Sequence, residues 1–327
     1  MPSGAAATTS ADPVPVAPHC KIERLPEPGN YRQSLVFGTD PTGRYLVGRG
    51  YGRDGDDKAR VPLLWDNGRA SVLPFEHKYT EATEVNSNGT VIAWGTEPEM
   101  FQDGVVTELP YDKDTVSSVT LSGINERGDI SASLWLKSDN IREKTVPAYY
   151  PAGKHDAPPV TLPVPDTKRS GYTLDVDEDG TMVGWVTTAE GMRAYVWHPD
   201  GSHGFLPAPE GSVTRTTAHE IRDGWVVGRG KIDGEPRTLR WRLDDDTVEV
   251  MAGSTGFDIN AQGWTVGTDD SNHAAVVISG KLLQLPGLNP QEPNDEAQAI
   301  SDGGKVIGGA VTLPDSTERH AVRWECR

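Results

Sequence analysis

One phrase returns along the whole chain. Its first half reads GTDPTGRYLVG, EVNSNGTVIAWG, GINERGDISAS, DVDEDGTMVGW, EIRDGWVVG, DINAQGWTVG and AISDGGKVIGG, in chain order. Its second half reads LLWDNGRASVLP, EMFQDGVVTELP, AYYPAGKHDAPPVTLP, YVWHPDGSHGFLP, LRWRLDDDTVEVM, VVISGKLLQLP and AVRWECR. The seven copies lie roughly 40 to 50 residues apart, the spacing of architectures built by radial repetition. Each copy is one small sheet that cannot bury its faces alone and must pack on its neighbours.

Within one copy, Asp258-Ile259-Asn260 ends a strand and Trp264-Thr265-Val266-Gly267 forms the next, across a turn closed by Gly263. Asn and Gly tolerate a positive φ, and Asn can hydrogen-bond the turn locally, which accounts for the recurring N-x-x-G spacing. Val276-Val277-Ile278 makes a third strand, Ser279-Gly280 reverses the chain, and Leu282 to Leu285 makes a fourth. Four strands per copy and seven copies predict an all-β, seven-bladed β-propeller. The 36 Gly, 25 Pro and 35% hydrophobic content suit many short strands and leave helix negligible. Trp65, Phe101, Tyr150, Trp197, Trp241 and Trp324 share one position in the third strand, with Ile278 in the sixth copy. A large residue recurring at one repeat position is expected to fill the seam between blades.

The last copy supplies three strands and no final Leu-Pro strand. That strand is found at the other end, in Cys20-Lys21-Ile22-Glu23-Arg24-Leu25-Pro26, so residues 20–327 form a single propeller whose first strand completes its last blade. On this register Cys20 and Cys326, the only two cysteines, fall on neighbouring antiparallel strands within disulfide reach. A crosslink closing so long a loop would stabilise the ring by about 5 kcal/mol at most in the chain-entropy account. It also predicts an oxidising, extracellular compartment.

The formal charge of -17 disfavours nucleic-acid and membrane-surface partners. No run of about 18 apolar residues is present to span a bilayer. Residues 1–19, rich in Ala, Ser, Thr and Pro, show no basic start followed by an apolar core. They are expected to be disordered, as the spacer left once a signal peptide is removed.

The phrase I-N-x-x-G-x-x-V-G, followed by H-A and an aromatic strand, resembles the HAF-repeat family of bacterial, mostly extracellular proteins. Asp258 to Gly267 with His273-Ala274 carries the resemblance, as does Ile300 to Gly308 with His320-Ala321 and Trp324. It extends over residues 20 to 326 and implies a propeller-like repeat, with no catalytic residues to transfer.

One repeat position could assemble chemistry. Just before the apolar end of each innermost strand stand Gly38, Glu84, Gly123, Asp175, Glu220, Asp258 and Ala299. Glu84, Asp175, Glu220 and Asp258 could converge on the central channel as ligands for a cation or as general acids with raised pKa. His219 is a candidate base, although strand alternation points it away from Glu220. Asp175 to Gly180 opens like a calcium loop, D-x-D-x-D-G, but Val183 and Val186 stand where acidic ligands would complete it. An acidic hairpin turn is the expectation there, and no metal or cofactor is assigned.

A second candidate site gathers at a channel mouth. Arg49, Trp94, Trp185 and Arg229 share one repeat position, placed immediately after the second strand. Together they suit an anionic or carbohydrate-like ligand through stacking and forked hydrogen bonds. Near that face lie the charged connections 49–58 and 136–143 and the segments 75–79 and 165–169, where a rigid ring is expected to place recognition. No G-x-S-x-G, H-E-x-x-H, phosphate-cradling loop or C-x-x-C occurs. The expected function is a secreted, monomeric, non-catalytic binding propeller with a protein or carbohydrate partner; the alternative is a lyase or hydrolase working through the channel carboxylates.

Overall fold

A computed structural model describes residues 19–327 apart from 54–55, 78, 138–143, 212, 252–254, 290–292 and 315. The N-terminal segment 1–18 and parts of the three connections 49–58, 75–79 and 136–143 lie outside the described residues. All regular structure described is β-strand, arranged as seven four-stranded antiparallel sheets. Six sheets take four consecutive strands each. The seventh orders Glu296–Ile300, Val306–Thr312, Arg319–Cys326 and then Cys20–Arg24, so the first strand completes the last sheet. Cys20 pairs with Cys326 in that register and the two are joined by a disulfide. Each sheet's first strand contacts the first strands of its two neighbours, round to the start, which makes these strands the inner wall of a closed ring. Among the described residues no helix is long and apolar enough to cross a membrane.

The Leu-Pro ending and the third-strand aromatic prove to be one device. The Leu packs beneath the blade, with Leu25, Leu73, Leu109, Leu206 and Leu285 all buried. The Pro carbonyl then accepts a hydrogen bond from the aromatic residue of the following blade. Trp65 Nε1 donates to Pro26 O at 2.8 Å, Trp197 to Pro163 at 2.7 Å, Trp241 to Pro207 at 2.8 Å and Trp324 to Pro286 at 2.8 Å. The Tyr150 hydroxyl does the same to Pro110 at 3.1 Å. Where the fifth blade ends in Met251 without a proline, the sixth has Ile278, which has no donor to offer. Indoles therefore seal the seams with a buried polar group satisfied, as a tightly packed interior requires.

Candidate functional site

Each innermost strand carries a β-bulge at the same point. Pairing with the second strand slips between Val36 and Gly38, Ala82 and Glu84, Leu121 and Ile124, Thr173 and Asp175, Ala218 and Glu220, Gly256 and Asp258, and Ala297 and Ala299. A bulge inserts one residue and re-aims the side chains beside it. The glycine that closes the second strand follows from this: a Cβ on Gly267 would lie 1.7 Å from the Thr255 carbonyl oxygen.

The residue after the bulge points into the channel. Glu84, Asp175, Glu220 and Asp258, contributed by four blades, line one chamber of about 60 Å³ together with Arg222 and Asp302. Small residues at the intervening positions make this possible. A Cβ on Gly38 would come within 2.5 Å of Glu84 Oε2, and one on Gly123 within 2.1 Å of Asp175 Oδ1.

Two of the four carboxylates are tied to backbone. Asp175 Oδ2 accepts the Ile221 N–H at 2.8 Å from the next blade. Asp258 accepts the Ile259 N–H at 2.6 Å and, from the next blade, the Ile300 N–H at 2.7 Å. Burial pushes both pKa values up to about 7 against these hydrogen bonds. Burial, then the charges of Asp258 and Asp175, holds Glu84 well above the usual carboxylate range. Glu220 is raised by burial, by its three acidic neighbours and by the hydrogen bond it shares with Asp175. Raised carboxyl pKa values are expected when like charges are crowded away from water. Among the described residues no group of three or more His, Cys, Asp or Glu side chains is set to hold a metal ion.

Arg222 stops one end of this chamber. Its Nε and Nη2 reach Asp302 at 2.8 and 3.2 Å, and Nη1 reaches Glu178 at 2.6 Å. Burial alone would lower its pKa, but Asp302 and Glu178 raise it. Arg222 and Asp302 also line a larger cavity of about 520 Å³ on the outer side, beside Asp177, Asp179, His198, Asp223 and Asp244. Sequence reasoning passed over Arg222, although a signal existed. Blade 5 reads E-I-R-D-G-W where blade 6 reads D-I-N-A-Q-G-W, a turn short of the usual length.

The turns around that mouth are laced together. Asn86 Nδ2 donates to Asn125 O at 3.2 Å, Asn125 Nδ2 to Asp177 O at 3.0 Å, and Asn260 Nδ2 to Ser301 O at 3.3 Å. Blade 4 has Asp177 instead of Asn because the short turn of blade 5 presents donors. The Asp223 and Gly224 N–H groups bond its carboxylate at 3.0 and 2.8 Å. The calcium-loop resemblance of 175–180 thus resolves into an acidic turn whose central carboxylate is spent on backbone.

His219 is the bulged residue itself. It does not line the carboxylate chamber; its Nε2 lies 2.8 Å from Thr217 Oγ1. Burial, then Arg229 and Arg215, lowers its pKa to about 4. The bulge keeps His219 on the face of Thr217 while turning Glu220 into the chamber, so the base expected beside the acids sits with cations.

The four mouth residues lie at the opposite end of the channel. Arg49, Trp185 and Arg229 fall inside their strands and not after them, because the inner strands pair farther outward than the repeat suggests. Arg49 is paired with Glu81 and lies over the Phe37 ring at 5.3 Å. Trp94 is 41% exposed, with the Arg60 guanidinium 5.3 Å from its ring. Trp185 stacks on Tyr172 at 5.7 Å. Arg229, exposed, lies over Phe257 at 5.2 Å. They ring one mouth from blades 1, 2, 4 and 5.

No protein-family model matches the sequence, and no curated protein matches it. Solved structures do match, and they define the class of this chain as a β-propeller. Oligogalacturonate lyase from Vibrio parahaemolyticus aligns with a TM-score of 0.62 at 9% identity, covering 94% of this chain and 97% of that one. A catalytically inactive virginiamycin B lyase from Staphylococcus aureus, with quinupristin, aligns at 0.56 and 13% identity, covering 94% and 100%. A puromycin-hydrolyzing peptidase from Mycobacterium tuberculosis aligns at 0.63 and 12% identity, covering 95% of this chain but 54% of that one. At such identities the likeness is one of fold alone.

Proposed function

We propose that this protein is a secreted, non-catalytic propeller that binds a protein or carbohydrate partner at the mouth carrying Arg49, Trp94, Trp185 and Arg229. The observation that carries the reading is the size and closure of the acidic chamber. About 60 Å³ behind the Arg222 bridge is far below the roughly 300 Å³ at which small-molecule sites begin. Two of its four carboxylates are occupied with backbone N–H groups of adjacent blades. The acids therefore fasten the ring, and recognition is left to the rim. The disulfide between Cys20 and Cys326 supports an oxidising compartment.

The test is a glycan array and a pull-down with the intact protein and an Arg49→Ala/Trp94→Ala double variant. Binding by the parent and at least tenfold weaker binding by the folded variant is expected. Turnover of any substrate that disappears in Glu84→Gln or Glu220→Gln, with no binding at the mouth, would replace this reading by the lyase or hydrolase alternative.

A further inference from the structure

On the same mouth, blade 5 places two cations directly opposite each other. Arg215 of the innermost strand pairs with Lys231 of the second, and two residues along, Thr217 pairs with Arg229. Directly paired residues share a face of the sheet, so Arg215, Lys231 and Arg229 stand together, with His219 continuing the row beyond Thr217. Like charges directly opposite are destabilising. At the corresponding pair blade 1 has Gln33 opposite Tyr51 and blade 3 has Ser118 opposite Trp135.

Glu296 acts on Arg229 through its charge but is itself paired with Arg319. Among the described residues Arg215, Lys231 and Arg229 form no ion pair, whereas several other mouth cations are matched: Arg49 and Arg60 with Glu81, Arg319 with Glu296, Arg32 with Glu318. All three are solvent-exposed. The neighbouring blade sets Trp185 against Tyr172, with Trp135 edge-on to Tyr172 at 6.3 Å. Three cations without an ion pair among the described residues, one of them over the Phe257 ring, make a local anion site on a chain of net charge -17. Beyond about 8 Å the field of that net charge is screened at physiological salt.

We propose that Arg215, Arg229 and Lys231 form a subsite for an oxyanion, the carboxylate or sulfate group of an acidic saccharide, with His219 at its inner edge. The subsite deepens the binding reading above and rests on it. Arginine supplies forked donors that fit either group, and lysine supplies a point charge.

Chemical-shift titration of the intact protein with glucuronate, inorganic sulfate and glucose tests it. Glucuronate or sulfate should shift the amides around 215–219 and 229–231, and glucose should not. Binding of glucuronate alone assigns the group to carboxylates, and binding of sulfate as well widens it to sulfate esters. Arg215→Gln or Lys231→Gln should weaken binding about tenfold, the loss of one charge-assisted hydrogen bond. Arg242→Gln, at the other mouth, should leave it unchanged. At low ionic strength and without anion, Lys231→Gln should raise the Tm, an effect a purely structural lysine would reverse. A flat titration with glucuronate and sulfate, or equal binding by parent and Arg215→Gln, overturns the subsite. If mouth variants still lose a partner while these anions do nothing, the subsite fails alone; if the anions bind but no partner is found, the broader reading fails alone.

Discussion

The two mouths of the channel are built from the same repeat and end in opposite states. At the turn end, side chains from neighbouring blades are drawn into a polar lattice. Arg222 bridges Asp302 and Glu178, and Asn side chains hand hydrogen bonds from blade to blade. At the other end Trp94 is exposed, and Arg215, Arg229 and Lys231 form no ion pair among the described residues. Satisfied polar networks rigidify, and unsatisfied charge at a rim is available for a partner. The difference teaches that one repeat can fasten the ring at one end and leave side chains exposed at the other.

The sharpest way to break the comparison is to remove Arg222. Arg222→Ala leaves Asp302 and Glu178 facing each other and takes the nearest cation from the acidic chamber. A loss of about 3 kcal/mol is expected, at the low end of breaking a buried pair because both acids are partly exposed. Chemical denaturation at pH 7 measures it. An unchanged midpoint would show that the turn end is no more fastened than the rim. A smaller effect is expected for Asp177→Asn. The amide can accept one of the Asp223 and Gly224 N–H groups but turns its own NH2 toward the other, costing about 1–2 kcal/mol.

The chamber can be probed by pH with the sign fixed in advance. Glu84, Asp175, Glu220 and Asp258 all have folded pKa values above the ordinary carboxylate range. The folded state therefore keeps protons that the unfolded chain releases. Their contribution to stability is fully present below about pH 4 and is lost as pH rises through the raised folded values, about 7 for Asp175 and Asp258. Glu84→Gln should stabilise the ring by about 1 kcal/mol at pH 8, a Tm gain of roughly 2 °C, and do nothing at pH 4. Equal melting at both pH values would mean that the acids are ionised and solvated, and the chamber open.

How far the sequence reached follows the same division. The repeat spacing, the strand that completes the last blade and the Cys20–Cys326 pairing are periodic facts, and the structure has all three. The convergence of Glu84, Asp175, Glu220 and Asp258 was also legible, because equivalent positions around a ring must meet at its axis. The bulge was not: one unpaired residue such as His219 leaves no mark in composition, although alternation did place His219 away from Glu220. Nor were the partners of Arg222, since Asp302 lies 80 residues away and only a closed ring brings them together. The link between Trp324 and the Pro286 carbonyl could have been read, because the blade lacking the proline is followed by the blade lacking the indole.

The smallest expected change in stability is at the open mouth, and it completes the contrast. Trp94 ends its strand with 41% of its surface exposed, and Arg229 makes no ion pair among the described residues, so neither closes a buried polar network. Trp94→Ala and Arg229→Ala should each shift unfolding by no more than about 0.5 kcal/mol, the range of surface positions. What they should remove is affinity, since exposed tryptophan and arginine are the residue types that carry binding energy at interfaces. Denaturation and partner binding measured on the same samples decide it. A large loss of stability with binding intact would make the open mouth as structural as the sealed one, and the asymmetry between the two ends would vanish.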